Sequence, residues 1–140
     1  MYATFQKILS KNYNASKYLN VENAHLGLDD IRGIPRYDSE VLLIFGHGVV
    51  SLGASGQGMA FMNNSSFTVY DYDDITTPHT KFVFFGGCET ATDIATQNIA
   101  EYAVDLGGAK CSLGFKDLIS PKSLKIFIKH FFNKIDEGAS

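Results

Sequence analysis

The chain has 140 residues, enough for one domain with a core of its own and too few for several. Apolar residues make up 45% and charged residues 19%, which excludes an intrinsically disordered chain. The net charge of −3 supplies no overall basic field, so nucleic acid is not an expected partner.

In chain order, Met1 to Lys11 mixes polar and apolar residues and does not read as a secretory signal. No apolar run reaches the ~20 residues of a membrane span. The expectation is a cytoplasmic chain with no membrane partner. Tyr2 to Leu9 and Ala15 to Leu19 have the look of helical turns. Asp29 to Glu40 is polar, carries Gly33 and Pro35, and reads as a connection. Val41-Leu42-Leu43-Ile44-Phe45 is apolar at every position and stops at Gly46. That pattern suits a strand covered on both faces, as in a parallel sheet. Gly53, Gly56 and Gly58 mark a mobile loop. Met59 to Met62 and Phe67 to Tyr70 flank Asn63-Asn64-Ser65-Ser66 as the arms of a β-hairpin, and Asp71 to Ile75 starts a helical turn.

Lys81-Phe82-Val83-Phe84-Phe85 reads as a second buried strand, ending at Gly86-Gly87. Thr92 to Leu106 reads as a helix through Ile94, Ile99, Ala103 and Leu106, stopped by Gly107-Gly108. Ala109 to Phe115 is a third short strand. Ser120-Pro121 opens a last helix, with Ser as N-cap and Pro at the first helical position. Its Leu124, Phe127, Ile128, Phe131, Phe132 and Ile135 follow helical spacing. Phe127, Phe131 and Phe132 are expected in a core or on a partner face, not around a cofactor.

Strands alternating with long crossovers give an α/β class with a mainly parallel sheet. Ligands in such sheets bind beyond the carboxyl ends of the strands. Just past Phe45 stand Gly46-His47-Gly48, and just past Phe85 stand Gly86-Gly87-Cys88-Glu89-Thr90. Neighbouring parallel strands lie ~4.8 Å apart, so His47 and Cys88 would leave one sheet edge together. A thiol beside an imidazole is the minimal machinery of nucleophilic acyl transfer. The flanking glycines admit a substrate backbone and expose N–H groups for an oxyanion. Gly48 and Cys88 N–H are candidate donors, with Gly87 in the same backbone element. A helix following Cys88 would favour the thiolate. Each residue alone has a plainer reading, a core histidine or a buried thiol. Their joint placement favours chemistry.

These blocks resemble the caspase-like cysteine peptidases of clan CD, especially the CHAT domains related to caspases and separase. VLLIFGHG, Val41 to Gly48, matches the family's His-Gly block, and KFVFFGGCETA, Lys81 to Ala91, is similar to its Cys block. Gly58 to Tyr70 with Asp73-Asp74-Ile75 resembles the connection between them. Gly107-Gly108-Ala109 with Leu113-Gly114-Phe115 looks like the next strand, and Phe127 to Ser140 like the following helix. The resemblance covers Asp38 to Ser140, about three-quarters of the chain.

It implies a caspase-like three-layer sandwich around a mainly parallel sheet, and a hydrolase acting on a peptide or protein substrate. His47 would be general base or proton carrier, Cys88 the nucleophile, and Gly48 with Cys88 the oxyanion donors. Glu89 is carried over as a motif member with no assigned role. Gly87 stands where the family commonly has alanine. The family's opening strand is not found before Tyr2, and the chain stops at Ser140 where members continue. The expectation is a single domain over 1–140 that is a fragment or minimal version of a larger one, lacking its first strand.

Cys111, inside the third predicted strand, is expected in the core. A Cys88–Cys111 disulfide needs a suitable Cα separation and is not favoured. His25, His79 and His130 have no metal-ligand spacing, and no motif demands a cofactor. Asp71, Asp73 and Asp74 lack the offsets of a calcium loop and read as a solvated turn. Gly53 to Gly58 fits neither a dinucleotide fingerprint nor a Gly-x-Ser-x-Gly elbow, and reads as a loop at the rim of the site. The sequons at Asn14, Asn63 and Asn64 matter only in a secreted chain. Two further readings stand beside the peptidase. One is a catalytically silent scaffold or sensor that binds a peptide or protein partner. The other is a thiol acyl-transferase or amidase.

Overall fold

The structure, a computed structural model, describes residues 40–50, 56–60, 66–73, 76–93 and 97–137. The turns expected at 2–9 and 15–19, most of the 29–40 connection and the hairpin tip at 61–65 lie outside the described residues. So do 51–55 of the glycine-rich loop and 94–96. The described residues fall in two compact units, 40–118 and 119–137, each taken by itself below.

The first unit is a mixed α/β structure with two three-stranded sheets. Strand β1 (Val41–Phe45), β5 (Phe82–Gly86) and β6 (Cys111–Leu113) form a parallel sheet in the order β1-β5-β6. Strand β2 (His47–Val49), β3 (Gly58–Ala60) and β4 (Ser66–Thr68) form a small antiparallel sheet in chain order. The chain therefore leaves the parallel sheet at Gly46 and enters the antiparallel one at His47. The hairpin expected on either side of 63–66 is the β3–β4 pair.

Strand β5 lies at the centre of the parallel sheet, and Val83, Phe84 and Phe85 are all but fully buried. Its unbroken apolar run follows from that place, because both faces of a central strand need cover. Val83 and Phe85 face the main core, with Ile44, Met59, Phe67, Tyr72 and Ile99. Phe84 meets Phe45 and Phe115 at ring-centroid distances of 5.7 and 6.0 Å. Burial of each such side chain contributes roughly 1.5–3 kcal/mol. Glu40 and Lys81 form an exposed ion pair of 2.6 Å where β1 and β5 begin, a contact of small worth.

After β4 the chain makes a 3-10 turn, Val69–Asp73. The Asp71 carboxylate accepts hydrogen bonds from the Thr68 N–H at 2.7 Å and its hydroxyl at 3.1 Å. Asp71 is thus a local acceptor rather than part of a merely solvated turn. Helix α1 (Ile99–Asp105) is shorter than the helix expected from Thr92. Asn98 and Glu101 form a reciprocal capping box at its start, so helical backbone begins there. Ile99, Ala100 and Ala103 turn into the main core.

The second unit holds helix α2 (Pro121–Asp136), which starts where the Ser-Pro pair predicts. The Ser120 side chain accepts from the Ser123 N–H at 3.1 Å. Leu124, Ile128 and Phe132, four residues apart, form its buried stripe. Phe127 and Phe131 are half-buried and stack at 5.4 Å.

Burial pushes the Tyr72 phenol above its ordinary value. The native state holds the protonated form, so its contribution is complete below the unfolded pKa of ~10 and is lost as pH rises beyond it. The decline is about 1.4 kcal/mol per pH unit. Tyr72→Phe, which keeps the ring packed against Phe67, should remove this alkaline limb. Urea midpoints of both proteins between about pH 9 and 11 check it. Parallel declines would contradict it.

Candidate active site

The site is assembled by strand register. Pairs along β1 and β5 run from Val41↔Phe82 to Phe45↔Gly86. Two more residues on each chain reach His47 and Cys88. The two main chains stay in contact over that stretch. A Cβ built on Gly48 would stand 1.5 Å from the Cys88 carbonyl oxygen and 3.0 Å from its nitrogen. A Cβ on Gly87 would stand 2.7 Å from the Gly46 oxygen and 3.0 Å from the Gly48 nitrogen. The glycine after His47 is therefore a requirement of close approach: no side chain fits between β2 and the Cys88 peptide.

His47 is exposed, opens β2 and pairs across to Ala60 of β3. Cys88 is half-buried, Cys111 is exposed, and neither forms a disulfide. Gly87 is buried and its neighbour Cys88 is half-buried. Among the described residues, no three His, Cys, Asp or Glu side chains come together to hold a metal.

The turn after Cys88 is held from several sides. Glu89 is the one described non-glycine residue with positive φ, at 54°. Such backbone costs ~1–2 kcal/mol and persists where its surroundings fix it. Its N–H donates to the Asp117 carbonyl at 3.2 Å. Its own carbonyl accepts from the Thr92 N–H at 3.3 Å and from the Gln57 amide Nε2 at 2.9 Å. Thr90 is fully buried. Its Oγ1 lies 3.1 Å from the Gly87 carbonyl, to which it donates, and accepts from the Phe115 N–H at 3.1 Å. The ends of β5 and β6 are tied together through this hydroxyl. The Thr after the Cys-Glu pair is thus a framework residue, legible in the CETA string only as a motif member.

Three expectations are corrected here. Helix α1 begins at Ile99, well beyond Cys88, and a turn follows the thiol, so among the described residues of this unit the helix after Cys88 does not start at the thiol as expected. Cys111 is exposed rather than in the core. It opens β6 at the side of the sheet, and its Sγ donates to the Lys81 carbonyl at 3.3 Å. The described end of the glycine-rich loop is fixed in place. Gln57 is 2% exposed and bonded at both ends of its side chain. Gln57 is the residue that sequence reasoning passes over. Its only signal is a polar residue set between Gly56 and Gly58, and a Cβ on Gly58 would stand 2.2 Å from the Phe67 oxygen.

No protein-family model, no curated protein and no solved structure matches this chain. No helix among the described residues is long and apolar enough to cross a membrane.

Proposed function

We propose that the chain is a cysteine endopeptidase of the caspase-like kind, near the CHAT type of clan CD, with His47 and Cys88 as its dyad. The observation that carries this reading is the β1–β5 register. It takes a His-Gly pair and a Gly-Cys pair past the same sheet edge, with Gly48 against the Cys88 carbonyl. The order of parts supports it: apolar strand, His-Gly, antiparallel hairpin, parallel strand, Gly-Cys, helix, parallel strand. A three-layer sandwich is part of the same proposal.

In the proposed reaction the His47 imidazole accepts the Cys88 proton. The sulfur attacks the scissile carbonyl carbon, and the π pair moves onto oxygen. Backbone N–H groups of Gly48 and Cys88, with Gly87 in the same element, face that charge. The C–N bond breaks, and the leaving amine takes the proton from His47. A thioester remains on Cys88. Water adds to it, passing a proton to His47, and the thiol re-forms as the acid product departs. The substrate is a peptide or protein, and the steps need no cofactor. Glu89 has no role in them.

The test is the pH dependence of iodoacetamide alkylation, with peptide mapping of both thiols. Cys88 is expected to react at least ~10-fold faster than Cys111 below the ordinary thiol pKa of ~8.5, and His47→Ala to remove the difference. Equal rates, or indifference to His47, would leave the silent scaffold as the better reading.

A further inference from the structure

Gln57 joins three segments that lie far apart in sequence. Its Nε2 donates to the Glu89 carbonyl, 32 residues away, at 2.9 Å. Its Oε1 accepts from the Ile99 N–H, 42 residues away, at 2.7 Å. Its own carbonyl accepts from the Val69 N–H at 3.0 Å, which locks it to the hairpin. A buried amide left without such partners costs ~1–3 kcal/mol, so an amide placed here is held in one orientation. Both bonds meet the amide through one rigid plane. Gln57 thereby ties the turn after Cys88 to the start of α1, beside the Ala100 N–H donating to the Thr90 carbonyl at 3.3 Å and the Asn98 Nδ2 donating to the Thr92 carbonyl at 3.2 Å.

The Glu89 end matters more than the Ile99 end. Glu89 is the residue in left-handed backbone and follows Cys88 directly, and the carbonyl that Gln57 holds belongs to the Glu89–Thr90 peptide. Released from its acceptor bond, it has an easier conformation to fall into, and Cys88 would turn with it. We propose that Gln57 is the positioning residue of the site: its buried amide holds the left-handed turn after Cys88 and so sets the place of the thiol against the His-Gly strand. This inference rests on the dyad reading above. Gln57 touches no reacting atom, and it enters the chemistry only through the peptide it holds.

Gln57→Glu separates the two bonds. The introduced carboxylate still accepts from the Ile99 N–H but opposes the Glu89 carbonyl. Once protonated, its O–H donates to that carbonyl and restores both contacts. Burial favours the protonated form, so the recovery comes at mildly acidic pH. The Glu89 side chain is common to both proteins and cancels in their ratio, and Glu101 is engaged with the Asn98 N–H in both.

The readout is the Cys88 alkylation rate with iodoacetamide, taken as variant over wild type from about pH 5.5 to 8.5, with circular dichroism confirming the fold. The ratio is expected near 0.1 at the alkaline end, rising several-fold toward 1 at the acid end. Gln57→Ala should give a low ratio that does not recover. A role in stability alone predicts no pH-dependent recovery in a folded variant. If His47→Ala slows Cys88 but both Gln57 variants match wild type at every pH, the dyad stands and the positioning role is overturned. If His47→Ala leaves Cys88 unchanged, the dyad fails and this inference with it. Should the variants not fold, the unaltered 15N-labelled chain decides. Alkylating Cys88 is expected to shift the Gln57 side-chain amide resonance, and a signal that stays in place overturns the inference.

Discussion

Gly48→Ala is expected to destroy the site and to cost the fold about 3 kcal/mol or more. An alanine Cβ would stand 1.5 Å from the Cys88 carbonyl oxygen, with the backbone carbon and nitrogen of the same residue close behind. The obstacle is backbone on both sides, so no rotamer change relieves it. Either β2 leaves the hairpin or the Cys88 turn shifts. The first breaks the Gly48↔Met59 pairing and opens the core around Met59, which is fully buried. The second strains the turn that Gln57, Thr90 and Asp117 hold. The measurement is the urea midpoint together with the Cys88-to-Cys111 alkylation ratio. A midpoint within ~0.5 kcal/mol of wild type would mean that the His-Gly strand and the Cys88 peptide are not packed as described.

Cys88→Ala should abolish cleavage of any peptide the native chain turns over. Its cost in stability should be small, about 1 kcal/mol or less, because the side chain is only half-buried. His47→Ala should retain binding and lose roughly 10²–10⁴ in turnover, the usual share of a positioned general base. A peptide library read by mass spectrometry checks both variants against wild type. Binding that survives Cys88→Ala, with no turnover by wild type, would identify the scaffold instead. Cleavage that persists in Cys88→Ala would remove the thiol from the mechanism.

The parts of this fold legible in the sequence are those whose residues answer to one dominant force. Phe82–Phe85 is apolar because the central strand of a parallel sheet is covered on both faces. Val41–Phe45 is also a strand, but it lies at the edge of the described sheet and only Ile44 is buried, so its cover on both faces is not met there. Ser120-Pro121 opens its helix because an N-cap hydroxyl and a fixed φ satisfy local geometry alone. The His-Gly and Gly-Cys pairs stand out because their glycines mark close backbone approach, and Gly48 meets that description. Less legible are features decided by tertiary neighbours. The helix expected from Thr92 begins at Ile99, since apolar spacing carried the expectation past the Asn98–Glu101 capping box that sets its start. Cys111 is exposed because residue type says little about which side of a sheet a strand occupies. Gln57 leaves no periodic trace, for its partners lie 32 and 42 residues away.

The sheet register also has a kinetic consequence. Pairing Val41 with Phe82 closes a loop of about forty residues, and the entropy of closure precedes any reward from the contact. The β3–β4 hairpin closes over far fewer residues and forms early on that ground alone. Bringing β1 to β5 is then expected to be the slower of the two, and the Gly48 contact awaits it. A nascent chain would therefore carry an exposed thiol at position 88 until its last stage of folding, so refolding yield should depend on reductant at that stage more than at any other.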